Sequence, residues 1–175
     1  MPPLAIVVMG VSGCGKSTLG ARLAAEFDCP FLEGDSYHLP ESVAKMRAGQ
    51  PLGDDDRWPW LDRLGAAAGD ALRADGMSVV ACSALKRVYR ERLACAARAP
   101  MRFVLLEAEP AELIRRLGQR PEHYMPASLL DSQFAILERP GADEAALTLD
   151  AALPPERLAE RVTAWARTEI AAHSL

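Results

Sequence analysis

The chain has 175 residues, half of them apolar and a quarter charged, with a net charge of −4. That length fits one domain burying roughly 70% of its unfolded surface, and the negative balance weighs against nucleic acid as a main partner, because backbone binding needs a basic face. No apolar run is long enough to span a bilayer, and Met1-Pro2-Pro3 leads directly into an expected strand with no secretory pattern, so the expected compartment is the cytoplasm. The four cysteines (Cys14, Cys29, Cys82, Cys95) are scattered without a C-x-x-C pair and read as free thiols.

Apolar runs alternate with helical patterns along the chain, which points to β-α units around a parallel sheet. The first strand is expected at 4–9, over Leu4-Ala5-Ile6-Val7-Val8-Met9. It runs into Gly10-Val11-Ser12-Gly13-Cys14-Gly15-Lys16-Ser17, a complete G-x-x-x-x-G-K-S loop, and then into a helix expected over 16–27. Strand-loop-helix is the geometry this motif requires. Its glycines let the backbone N–H groups, through Thr18, form a nest for phosphate oxygens, and the helix N-terminus adds partial positive charge. Lys16 supplies a full charge between β- and γ-phosphates, and the Ser17 hydroxyl is placed to ligate Mg²⁺. The chain is expected to bind a nucleoside triphosphate.

A second strand is expected at 30–33 and a helix at 40–48. Glu33-Gly34-Asp35 closes that strand, and His38 follows. Asp35, one step past the strand end and facing the ligand crevice, is a candidate to orient a hydroxyl and accept its proton; a cap or turn residue is the other reading. His38 is equally compatible with a surface, a turn or a substrate-contact role. Asp54-Asp55-Asp56-Arg57-Trp58-Pro59-Trp60-Leu61 then opens a helix expected over 55–74. The three acids suit a helix start. Arg57, held by neighbouring carboxylates, is a candidate to grip a substrate carboxylate bidentately, or only a local ion-pair partner. Trp58 and Trp60 read as packing residues, a wall of the substrate pocket being the alternative for one of them.

The third strand, expected at 77–82, ends in Cys82-Ser83-Ala84-Leu85-Lys86 before a helix at 85–97. The helix start offers N–H donors to an anion and Lys86 adds charge, a solvated helix face being the alternative for Lys86. No Asp stands at this strand end, where many phosphate-loop proteins keep a magnesium carboxylate. Mg²⁺ is therefore expected on Ser17, the phosphates and water, with Asp35 within reach through a water. A fourth strand follows at 102–107 and a helix at 110–117. Arg116 and Arg120 lie four apart on the segment entering a charged, breaker-rich stretch, so they share a helical face. On a closing lid they would cover the adenine and stabilise charge on the transferring phosphoryl group, a solvated face being the alternative. A helix at 126–138, a turn at 138–143, a weaker strand at 146–149 and a helix at 154–172 complete the chain. Right-handed crossovers place helices on both sheet faces. The expected fold is α/β, a three-layer α/β/α sandwich with a five-stranded parallel sheet of the P-loop nucleoside triphosphate hydrolase type, carrying a small helical lid.

Together these residues resemble gluconokinase of the small type built on the nucleotide-kinase fold. The resemblance runs from Val7 to about Glu144. It rests on Gly10–Ser17, Gly34-Asp35-x-x-His38, Lys45-Met46-x-x-Gly49-x-Pro51-Leu52, Asp54–Leu61, Cys82-Ser83-Ala84-Leu85-Lys86, Tyr89-Arg90, Gln133-Phe134 and Pro140-Gly141-Ala142-Asp143-Glu144. It implies a single kinase domain over 1–175 with its lid at about 116–126, and ATP-dependent phosphorylation of D-gluconate at the 6-hydroxyl with Mg²⁺, commonly as a homodimer. ATP would occupy Gly10–Thr18 with Arg116 and Arg120. Gluconate would meet Asp35, His38, Arg57, Ser83 and Lys86, and Lys16, Asp35 and Arg120 would carry the chemistry. Cys14 and the lid sequence Gln119-Arg120-Pro121-Glu122-His123 depart from the common family pattern. A shikimate kinase would be expected to carry a glycine triplet at 83–85 and a second Asp at 33, a nucleoside monophosphate kinase an arginine-rich second-phosphate site, and a switch GTPase a base-reading Asn/Thr-Lys-x-Asp segment; none of these is present.

Overall fold

The computed structural model describes residues 3–119 and 126–172. Its centre is β1 (Leu4–Met9), buried along its whole length, as a continuous apolar run should be in a strand covered on both faces. The other strands are β2 (Phe31–Glu33), β3 (Met77–Ala81), β4 (Met101–Glu107) and β5 (Ala146–Asp150). All pairings are parallel, in the order β2-β3-β1-β4-β5, with Val7 of β1 opposite Val80 on one side and Phe103 on the other. Among the described residues seven helices connect and cover them: α1 (Lys16–Phe27), α2 (Pro40–Arg47), α3 (Asp54–Asp75), α4 (Arg87–Ala97), α5 (Pro110–Gly118), α6 (Ala127–Ile136) and α7 (Pro155–Ala172). The sheet packs α1 with α7 and α3 with α4, and right-handed crossovers set these pairs on opposite faces. The expected five-stranded α/β/α sandwich is what forms.

This topology dictates where a ligand sits. From β1 the chain crosses toward β2, whereas from β3 it crosses toward β4, so neighbouring strands send their connections in opposite directions. A crevice opens beyond their carboxyl ends. The two loops leaving that point are stitched together: the Gly10 N–H donates to the Ser83 carbonyl at 3.2 Å, and the Cys82 N–H to the Val8 carbonyl at 3.1 Å.

Element ends differ from expectation where side chains and backbone torsions intervene. Helix α3 begins at Asp54 because the Asp56 carboxylate accepts the Gly53 N–H at 2.9 Å. Helix α4 begins only at Arg87, because Ala84 takes a left-handed φ of 46° and Lys86 is an extended cap. A 3-10 turn over Gly34–Tyr37, unexpected from the sequence, follows β2.

Candidate active site

The phosphate loop depends on glycine for steric reasons. Gly10 adopts φ +142°, and a Cβ there would lie 2.8 Å from Cys14 Sγ and 2.9 Å from the Leu106 carbonyl oxygen. Gly15, at φ 100°, turns the chain into α1. Lys16 Nζ donates to the Val11 carbonyl at 3.0 Å, which lays the ammonium back across the loop. The Ser17 hydroxyl donates to the Glu33 carboxylate at the end of β2. The carboxylate beside the expected magnesium ligand is therefore Glu33 rather than Asp35. Two hard oxygen groups side by side suit Mg²⁺. Among the described residues no three His, Cys, Asp or Glu side chains form a metal cage, so phosphate oxygens and water would complete the shell.

Asp35 owes its position to Gly34. A Cβ at residue 34 would fall 2.3 Å from the Ala81 carbonyl oxygen, so only glycine lets β2 end this close to β3. The Trp60 indole N–H donates to the Gly34 carbonyl at 2.8 Å and fixes the turn from behind, while Asp35 stands exposed on its other side. The His38 ring stacks on Trp60 with centroids 4.1 Å apart. Burial lowers the His38 pKa to about 4, with Asp35 acting upward and Arg57 downward, and its Nδ1 is buried without a partner. The imidazole is therefore neutral at neutral pH. The Cys82 thiol, at the end of β3, is pushed up to about 12 by burial, and Lys16, Asp35 and Arg57 all act on it. Lys16, Asp35 and Arg57 therefore all lie within electrostatic reach of that strand end.

The opposite wall is built from α3 and α4. Asp54 accepts the Tyr89 hydroxyl at 2.5 Å and Lys86 Nζ at 3.0 Å. The Tyr89 hydrogen bond, then Lys86, holds the Asp54 carboxyl below its usual range, and Lys86 is raised in return. Tyr89 is itself raised, by burial first and by Asp54 second. Asp56 is occupied by Lys45 at 3.0 Å and by the Gly53 N–H. Arg57 is therefore not clamped by its neighbouring carboxylates, as the sequence had suggested. Its NH1 donates to the Tyr89 hydroxyl at 2.9 Å, and its guanidinium lies 5.1 Å from that ring's centroid. Behind this wall, Arg90, 1% exposed, pairs with Glu144 at 2.7 Å and donates to the Ala84 carbonyl at 2.9 Å. That anchor holds the connection bearing Ser83 and Lys86 in its strained turn.

Arg116 is engaged by Glu112 at 2.9 Å and by the Ala151 carbonyl at 3.0 Å. Helix α5 ends at Gly118 with Gln119 as its cap. Arg120 lies outside the described residues, as does most of the expected lid. Glu33 and Tyr89 are site residues to which the sequence reading gave no role. The signal for Glu33 was its place beside Gly34-Asp35; Tyr89 could be found only by its spacing of one turn from Lys86.

A family model described as an AAA domain matches residues 6–140. The gluconokinase of Gluconobacter oxydans (strain 621H) is 43% identical over 162 residues, covering 93% of this chain and 90% of that protein. The chain belongs to the gluconokinase family. Solved relatives agree: a gluconokinase from Sinorhizobium meliloti 1021 superposes with a TM-score of 0.84 at 42% identity, covering 98% of this chain and 96% of its own. A sugar kinase from Janibacter sp. HTCC2649 reaches a TM-score of 0.88 at 41% identity over 95% of each chain. Among the described residues of this gluconokinase-family chain, no helix is long and apolar enough to cross a membrane.

Proposed function

We propose that the protein transfers the γ-phosphoryl group of ATP to the 6-hydroxyl of D-gluconate, giving 6-phospho-D-gluconate and ADP. The observation that carries this reading is Arg57. It is 8% exposed, yet among the described residues its one hydrogen-bond acceptor is the neutral Tyr89 hydroxyl, and no carboxylate pairs with it. Asp54 and Asp56 feel Arg57 only through space; a buried guanidinium with no carboxylate in direct contact is costly, and a carboxylate ligand arriving in the crevice reduces that cost by bidentate pairing. A polyhydroxy acid fits such a wall better than a neutral sugar does.

In this reading Lys86 turns from Asp54 to share the substrate carboxylate, and Ser83 and the neutral His38 hydrogen-bond the hydroxyls. Asp35 orients the terminal hydroxyl and takes its proton late in transfer. Lys16 leaves the Val11 carbonyl for the β- and γ-phosphates, and the nest of Gly10–Thr18 holds the triphosphate by its N–H groups. Ser17, with Glu33 beside it, would hold Mg²⁺, which supplies charge neutralisation on the β- and γ-oxygens. Phosphoryl transfer is mainly positioning and charge stabilisation, so the side chains need only align two substrates and exclude water. ADP formation measured in parallel with gluconate, shikimate and nucleoside monophosphates tests the reading. Turnover dependent on gluconate is expected; none with gluconate, or equal turnover without any acceptor, would contradict it.

A further inference from the structure

The phosphate loop is also gripped by a residue 121 positions away. Gln133, on the second turn of α6, accepts the Ser12 N–H on Oε1 at 2.7 Å and donates Nε2–H to the Ser12 hydroxyl at 3.0 Å. Both arms of the amide are used, so the side chain cannot turn over without losing both bonds. One residue further along the loop, Leu117 of α5 packs so close that a Cβ on Gly13 would lie 3.2 Å from it. Beyond α6, the Glu138 N–H donates to the Leu85 carbonyl at 2.7 Å, on the connection that bears Lys86.

We propose that Gln133 is a positioning residue for nucleotide binding, fixing the Ser12 peptide so that the N–H groups after it stay converged on the phosphate site. Ser12 stands immediately before the part of the nest where Gly13 and Gly15 take φ values of 84° and 100°. Such glycines are conformationally permissive, and a loop that must be ordered at the moment of binding loses affinity to that ordering. A two-point bond to a packed helix removes that freedom beforehand. Gln133 makes this contact through Ser12 and acts by holding the loop. The inference rests on the kinase reading only for the identity of the nucleotide, and its test is direct ligand binding, which needs no acceptor turnover.

The experiment is calorimetric titration of ADP and ATP into the full chain and into Gln133→Ala, Gln133→Met, Ser12→Ala and the Ser12→Ala/Gln133→Ala double variant, with thermal midpoints and gluconate KM in parallel. Gln133→Met keeps the side-chain volume while deleting both hydrogen bonds, so it serves if the alanine variant folds poorly. Both Gln133 variants are expected to bind ADP about tenfold more weakly, and Ser12→Ala about threefold. The double variant should be no weaker than Gln133→Ala, because the Ser12 hydroxyl acts through Gln133. The gluconate KM should stay within about twofold, which a general loss of structure would not allow. Wild-type ADP affinity in Gln133→Met, strictly additive losses in the double variant, or an equal rise in gluconate KM would each overturn the proposal.

Discussion

The two sides of the crevice are built on different principles. The side proposed for the nucleotide is made of backbone: nine consecutive residues, Gly10–Thr18, bent by glycines, present N–H groups that need no particular side chains beyond Lys16 and Ser17. The side proposed for the acceptor is made of side chains drawn from distant parts of the chain, with Arg57 from α3, Tyr89 from α4 and Lys86 from the connection between β3 and α4. Its charges are also partly cancelled in advance, since Asp54 already occupies Lys86 and the Tyr89 hydroxyl. A backbone nest suits a ligand common to many enzymes. A side-chain wall can be respecified one residue at a time, which is what choosing one acceptor among many polyols demands.

Substitutions on the two sides should therefore fail in different ways. The largest effect is expected for Lys16→Met, which removes the loop's full charge: kcat should fall on the order of 10³-fold with the gluconate KM little changed, as steady-state kinetics with each substrate varied would read. Arg57→Lys keeps the charge but loses the planar fork. It should raise the gluconate KM about 100-fold with the ATP KM within about twofold, and Tyr89→Phe should do the same by about five- to tenfold, through loss of one hydrogen bond to Arg57. Matching rises in the ATP KM would erase the distinction between the two sides.

The smallest expected effect concerns pH and His38. Its folded pKa of about 4 lies below the ordinary 6.5, so the unfolded chain binds this proton first on acidification. The stability that His38 contributes is complete above about pH 6.5 and is lost as pH falls toward 4. Urea midpoints should decline across that window, and His38→Gln should flatten the decline. An unchanged slope in the variant would mean that the stacked imidazole is not held neutral.

How much of this was legible in the sequence follows from the same contrast. The strands and the loop were readable because their signals are local: a buried apolar run, then glycines at fixed spacing. Lys16, Ser17 and Asp35 were singled out as candidates through such signals, and Arg57 through the acids beside it. Arg57's partner was not, because Asp54 and Asp56 are adjacent in sequence but spend their oxygens on Lys86, Tyr89 and Lys45, contacts that form only when α3 meets α2 and α4. Glu33 was passed over for Asp35 because a strand's end residue cannot be assigned a direction without its neighbours. The late start of α4 escaped because a left-handed alanine has no sequence signature; it is held there from behind by the buried Arg90–Glu144 pair.

The central claim is that gluconate lies with its carboxylate on the α3–α4 wall and its far end toward the phosphate loop. A crystal structure with gluconate and a non-hydrolysable ATP analogue tests it most directly. The account predicts the carboxylate on Arg57, Lys86 released from Asp54, and the 6-hydroxyl hydrogen-bonded to Asp35 and aimed at the γ-phosphate. A carboxylate bound away from Arg57, or a 6-hydroxyl beyond hydrogen-bond reach of Asp35, would contradict it.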